Sequence, residues 1–208
     1  MKTIVKNKKQ DKKQTKIVKQ KYRCRWAQGV REMEVYHDRS WGIPKKKDQD
    51  IFQAIVLDSF QAGLSWKTIL LRKDGFKKTF CDFDYERVAK FGAHEIARLM
   101  KDENIIRHRG KIEATIGNAK SFIAIQKEFG GKNGFAKYIW HFTNGKVIVN
   151  HPKHPKDMSA HTPLSEKISK DLRSRGFKFV GPTMVYAFMQ GIGMVNDHEE
   201  KCEWKYVK

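Results

Sequence analysis

Apolar residues recur along this chain three and four positions apart, and the alternation expected of half-buried strands is scarce. Asp48 is placed to cap a helix carrying Ile51, Phe52, Ile55, Val56, Leu57 and Phe60 and ending near Gly63. Ser65 opens a second helix through Ile69, Leu70 and Leu71 toward Gly75. Short helices are expected around 85–90 and 94–100, a long one over 111–129, and an aromatic one over 135–142. Asn, Gly, His and Pro without periodicity make 143–161 a loop. Thr162-Pro163 begins a helix that ends by Gly176, and Pro182 begins the last long one. The pattern predicts an all-α chain without internal repeats.

One position on the first helix breaks the pattern. Ile51, Ile55, Asp58 and Ala62 share a stripe, so Asp58 faces inward, where an unpaired carboxylate is costly. A salt bridge to a Lys or Arg, or a cap for the turn at Ser65, would account for it. So would a pocket. Trp26, Tyr36, Trp41 and Trp66 all lie in the first third of the chain. Aromatic faces around one carboxylate suit a flat cationic ligand.

At 208 residues the chain is long enough for a single well-cored domain. The net charge of +20 calls for a polyanionic partner or a solubility role. Residues 1–23 hold nine Lys and Arg23 against Asp11, a net +9. Residues 1–21 are too poor in apolar groups to order and are expected to be a disordered Lys-rich tail preceding a domain over 22–208. Such a tail either binds nucleic acid without sequence preference or is merely solvated. Bulk charge alone does not separate DNA, RNA and anionic membranes. No apolar run approaches spanning length and no signal-peptide core is present, so a cytoplasmic protein is expected.

Three cysteines, Cys24, Cys81 and Cys202, fit a reducing compartment better than a disulfide framework. Cys24 and His37 lie near the start, His198 and Cys202 near the end. Two thiolates and two imidazoles suit a closed tetrahedral Zn²⁺ site. His198 and Cys202, four apart, would share one face of a helical turn. The bland alternative is a stray thiol and two ordinary histidines.

Between the last two helices runs Gly176-Phe177-Lys178-Phe179-Val180-Gly181. A tight glycine-bounded turn leaves the first N–H groups of the next helix free for a phosphate oxygen. Lys178 and Arg175 would add charge nearby, and Lys178 and Gly181 are the residues expected on the DNA backbone. This is the layout of a helix-hairpin-helix element, which grips DNA backbone without reading bases. A second basic turn, Arg107-His108-Arg109-Gly110-Lys111, either holds a neighbouring phosphate or is a solvated loop.

Together these strings carry a resemblance. Tyr36-His37-Asp38 with Trp41-Gly42-Ile43-Pro44, Gln61-Ala62-Gly63-Leu64-Ser65-Trp66, Ile105 to Lys111, Gly176 to Gly181 and Val195-Asn196-Asp197-His198 resemble the bacterial DNA-3-methyladenine glycosylase I family over about residues 22–202. The resemblance implies an all-α helix-hairpin-helix glycosylase fold and one structural zinc on Cys24, His37, His198 and Cys202, joining the N- and C-terminal segments. It implies a monomer acting on double-stranded DNA with alkylated bases. Trp26, Tyr36, Trp41 and Trp66 would surround an extruded N3-methyladenine, with Asp58 as the recognising and catalytic carboxylate and Lys178 and Gly181 on the DNA backbone.

Three departures bear on activity. The family usually has Glu where this chain has Asp58, one methylene shorter. Phe60 replaces a usual Gln, and Met33 a common Tyr. A DNA-binding relative that keeps fold and zinc but has altered or lost excision is therefore the alternative. A basic RNA-binding protein would explain the tail but neither the paired ligands nor the inward carboxylate.

Overall fold

The structure, a computed structural model, describes residues 22–206; the Lys-rich segment 1–21 lies outside them. Ten α-helices run in order among the described residues: α1 (Arg31–Arg39), α2 (Asp48–Gln61), α3 (Trp66–Leu70), α4 (Lys73–Thr79), α5 (Tyr85–Val88), α6 (Ala93–Leu99), α7 (Arg109–Glu128), α8 (Gly134–His141), α9 (Pro163–Ser174) and α10 (Pro182–Gly191). Helix α2 is central, packed against α3, α7, α8 and α10. It buries both faces, as its near-continuous apolar run requires. Phe52 meets Phe122 edge-on at 5.3 Å, and Phe122 stacks on Phe135 at 3.9 Å, tying α2, α7 and α8 into one core. Phe60, one of the departures, is fully buried against Phe76 and Phe80 and belongs to this core.

Three expectations are corrected. Asp48 does not cap α2; it is the first helical residue, buried, and accepts from Ala136 N (2.8 Å) and Gln126 Nε2 (2.9 Å). Its carboxylate binds α2 to α7 and α8, a long-range use that helical periodicity does not register. The 143–161 segment is not wholly loop. Ile148–Val149 (β1) pairs in parallel with Val195–Asn196 (β2), so the fold is mostly helical with one small ladder. Such pairing depends on contact between distant segments, and two residues are too few to show alternation. Finally, His198 and Cys202 share no helical turn: residues after β2 form turns in which Lys205 donates to the His198 carbonyl (2.8 Å).

The α9–α10 connection follows its sequence closely. Thr162 caps α9, its hydroxyl accepting from Ser165 N (3.2 Å) while Ser165 Oγ accepts from Thr162 N (2.9 Å), with Pro163 in the first helical position. Gly176 ends the helix in the left-handed region (φ +91°), where a side chain would be strained. Asn118 of α7 clamps the turn from both sides, accepting from Lys178 N (2.8 Å) and donating to Lys178 O (3.0 Å).

Candidate active site

The inward stripe of α2 opens on a cavity of about 220 Å³. Trp26, Tyr36, Trp41, Asp58 and Trp66 all line it. Residues scattered over 40 positions are thus brought to one place. Trp26 lies edge-on to Trp41 at 4.8 Å, and Tyr36 sits 5.1 Å from Trp66. Sequence reasoning did not assign the remaining lining: Gln61, Pro155, Met158, Ala187 and Gln190. Ala187 and Gln190 lie three apart on one face of α10, a spacing that was legible. Pro155 and Met158 come from the loop after β1, where no periodicity marks them.

Asp58 is 6 % exposed, and no ion pair or side-chain hydrogen bond closes on it among the described residues. Burial pushes its carboxyl up to about 8, opposed only by the charge of Lys45. Lys45 is in turn pushed down to about 8 by burial, with Asp58 and Asp50 opposing. Its ammonium donates to the Ser40 (2.8 Å) and Gly191 carbonyls. Burial, then the nearby Asp58 charge, raises the Tyr36 hydroxyl well above its ordinary range, so it stays protonated. The far end of α2 is held by Lys111, whose buried ammonium donates to Phe60 O (2.9 Å) and Ala62 O (2.6 Å). Lys111 therefore caps the Asp58 helix, its ammonium engaged by backbone carbonyls.

Behind Trp41 the two chain ends meet. Cys24, His37 and Cys202 are buried, with donor atoms all within 4.8 Å of one another. His37 Nε2 lies 3.4 Å from Cys202 Sγ, and the His198 ring centre 4.9 Å from that of His37. Both imidazoles have Nδ1 against an oxygen acceptor: Asp38 Oδ1 at 2.8 Å for His37, Asn196 Oδ1 at 2.9 Å for His198. That fixes the Nδ1–H tautomer and leaves each Nε2 as an acceptor; of the four predicted ligands, His198 lies outside the three-donor group. His198 Nε2 is buried without a partner, and burial pushes that imidazole down to about 3, keeping it neutral. The Cys202 thiol is pushed down, first by its hydrogen bond with Cys24 and then by His37, while Cys24 is pushed up. Gly42 (φ +72°) makes room: a Cβ there would sit 2.6 Å from His198 Cε1. Glu199, which the sequence did not single out, seals the junction by accepting from Arg25 N (2.6 Å) and Tyr22 Oη (2.9 Å).

The basic turns lie side by side. Exposed Phe179 (φ +56°) meets His108, the N-cap of α7, edge-on at 6.2 Å. Lys178 is exposed, and Arg173, not Arg175, points at Gly181, 3.5 Å from where a Cβ would lie. Arg175 is engaged instead by Glu128 (2.7 Å) and Asp171 (2.9 Å).

The methyladenine glycosylase profile matches residues 26–206. A DNA-3-methyladenine glycosylase of Haemophilus influenzae is 41 % identical over 184 residues, 88 % of this chain and 97 % of that protein. DNA-3-methyladenine glycosylase 1 of Escherichia coli is 40 % identical over 182 residues, 86 % and 95 % respectively. A solved variant of 3-methyladenine DNA glycosylase I in complex with 3-methyladenine superposes with a TM-score of 0.84 at 34 % identity, covering 88 % of this chain and 97 % of that one. The chain belongs to the methyladenine glycosylase family and is a monofunctional DNA glycosylase of its type I.

Proposed function

We propose that this enzyme extrudes N3-methyladenine from alkylated duplex DNA and hydrolyses its glycosidic bond. The observation that carries this is Asp58: a buried carboxylate without an ion-pair partner, facing an aromatic-walled cavity of base size. Methylation at N3 makes the base cationic in DNA and lets it depart neutral, so no acid is needed to protonate it. The site has to unstack the nucleotide, hold the cation and admit water to the sugar. Ring faces attract the cation, and Asp58 supplies the compensating charge. Normal adenine, neutral, leaves Asp58 uncompensated and is disfavoured.

The α9–α10 turn is read as the helix-hairpin-helix clamp. Its support is an α10 N-terminus opened by Gly181 and Pro182, free of acidic residues in its first turn, with Lys178 and Arg173 beside it. Phosphate bound there fixes register and ignores sequence. A structural Zn²⁺ on Cys24, His37, His198 and Cys202 completes the reading. Its support is the three clustered donors and the buried, unpartnered Nε2 of His198. A closed set of four ligands would fasten the chain ends and leave no position for substrate. The domain so closed spans 22–208, acting as a monomer in the cytoplasm.

The test is base release from methylated duplex DNA by the purified protein, with products separated chromatographically. N3-methyladenine appearing well above spontaneous loss is expected; none above that background overturns the reading, and leaves the DNA-binding relative.

A further inference from the structure

Asp197 is 1 % exposed and accepts three hydrogen bonds: from Tyr186 Oη (2.7 Å), Gln190 Nε2 (2.6 Å) and Asn150 Nδ2 (2.6 Å). A carboxylate only accepts, so it takes the Gln190 amide by its NH₂ end. The Oε1 carbonyl is thereby turned the other way. Rotating the amide would set carbonyl against carboxylate, acceptor against acceptor. The Gln190 backbone is pinned too, its carbonyl accepting from Gly42 N and Gly193 N, both at 3.1 Å. Gln190 lines the base cavity, and among the described residues no protein donor meets its Oε1. A rigidly aimed acceptor beside an aromatic cavity is built for a ligand donor.

We propose that Gln190 Oε1 selects the extruded base by accepting an N–H from its exocyclic amine, and that Asp197 is the positioning residue that sets this orientation. The proposal rests on the base-excision reading above and deepens it. Asp58 recognises positive charge, and N3-methyladenine and N3-methylguanine are both cationic in DNA. Charge therefore cannot tell them apart. A 6-oxo purine would present a carbonyl oxygen where the 6-amino purine presents a donor, leaving two acceptors facing each other in a dry site.

The experiment compares release of N3-methyladenine and N3-methylguanine from methylated DNA by the native protein, Gln190→Met and Asp197→Asn. Gln190→Met keeps length and volume but removes the acceptor. Its kcat/KM for N3-methyladenine should fall roughly tenfold, the scale of one lost hydrogen bond in a buried site, while N3-methylguanine is released no more slowly. Asp197→Asn can donate to Gln190 Oε1 and turn the NH₂ into the cavity, so the same ratio should drop. A merely structural Asp197 would lower both rates and leave the ratio alone. Native selectivity in folded Gln190→Met overturns the proposal, and this variant decides if Asp197→Asn does not fold. If the native protein releases neither base, the excision reading fails. Quenching of tryptophan fluorescence by free 3-methyladenine against free 3-methylguanine then still reports on Gln190, and equal effects of Gln190→Met on both bases sink its role.

Discussion

Lys45 and Asp58 line the same small cavity of about 20 Å³, yet the Lys45 ammonium is turned to the carbonyls of Ser40 and Gly191 rather than bonded to the carboxylate. Lys45 therefore lends Asp58 electrostatic support without neutralising it by contact. The carboxylate stays available to a cation entering from the other side. Burial outweighs this support, which is why Asp58 is pushed up to about 8 and Lys45 down to about 8.

The pH dependence of excision follows. Only ionised Asp58 can hold the cation, so kcat/KM for N3-methyladenine should rise with pH toward a midpoint near 8. In Asp58→Asn this limb should vanish. A native profile that is flat between pH 6 and 9 would show that Asp58 ionisation is not required.

Stability should move the opposite way with pH. The folded-state value of Asp58 lies above its ordinary 3.8, so its contribution is fully present below 3.8 and lost as pH rises through about 8. Lys45 is depressed from 10.5, so stability is regained between about 8 and 10.5. Thermal melts of Asp58→Asn should show a shallower decline of Tm from pH 4 to 8 than the native protein. Superimposable Tm profiles would place Asp58 in an ordinary solvated setting.

Asp58→Asn keeps size and hydrogen bonding but removes the charge. Excision should fall by about 1.5–3 kcal/mol in transition-state stabilisation, the typical worth of a charge-assisted hydrogen bond, with folding and metal content intact. Asp58→Glu extends reach by one methylene and should hold or raise activity. Native-rate excision by Asp58→Asn would reduce the residue to a structural role.

Cys202→Ala removes one of the clustered donors. Bound zinc, expected at one equivalent in the native protein, and Tm should fall together, because metal-binding free energy at such a junction is folding free energy. Native protein with less than half an equivalent would count against the zinc.

Lys178→Ala and Arg173→Ala should each weaken binding to alkylated and undamaged DNA alike. Each should flatten the slope of log affinity against log salt by roughly 1. Arg175→Ala, whose guanidinium is held by Glu128 and Asp171, should leave that slope unchanged. A reversed pattern would move the backbone contact off the α9–α10 turn.

What the sequence determined by itself was local and periodic. Helical spacing located the long helices, Thr162-Pro163 and Gly176 bounded α9, and the inward stripe marked Asp58 before any contact was known. Motif strings named the aromatic residues that the fold gathers around one cavity, and Cys24, His37 and Cys202, whose donor atoms it brings together. Only the tertiary structure decided which distant groups meet. It set Asp48 as a tie between three helices rather than a cap, engaged Lys111 with α2 carbonyls and Arg175 with Glu128 and Asp171, and laid β1 beside β2 across 45 residues. It also brought Pro155, Met158 and Gln190 to the base cavity and aimed Gln190 by way of Asp197. These are long-range choices. A buried polar group takes whichever partner packing delivers, because leaving it unpaired costs more than any local preference can offset.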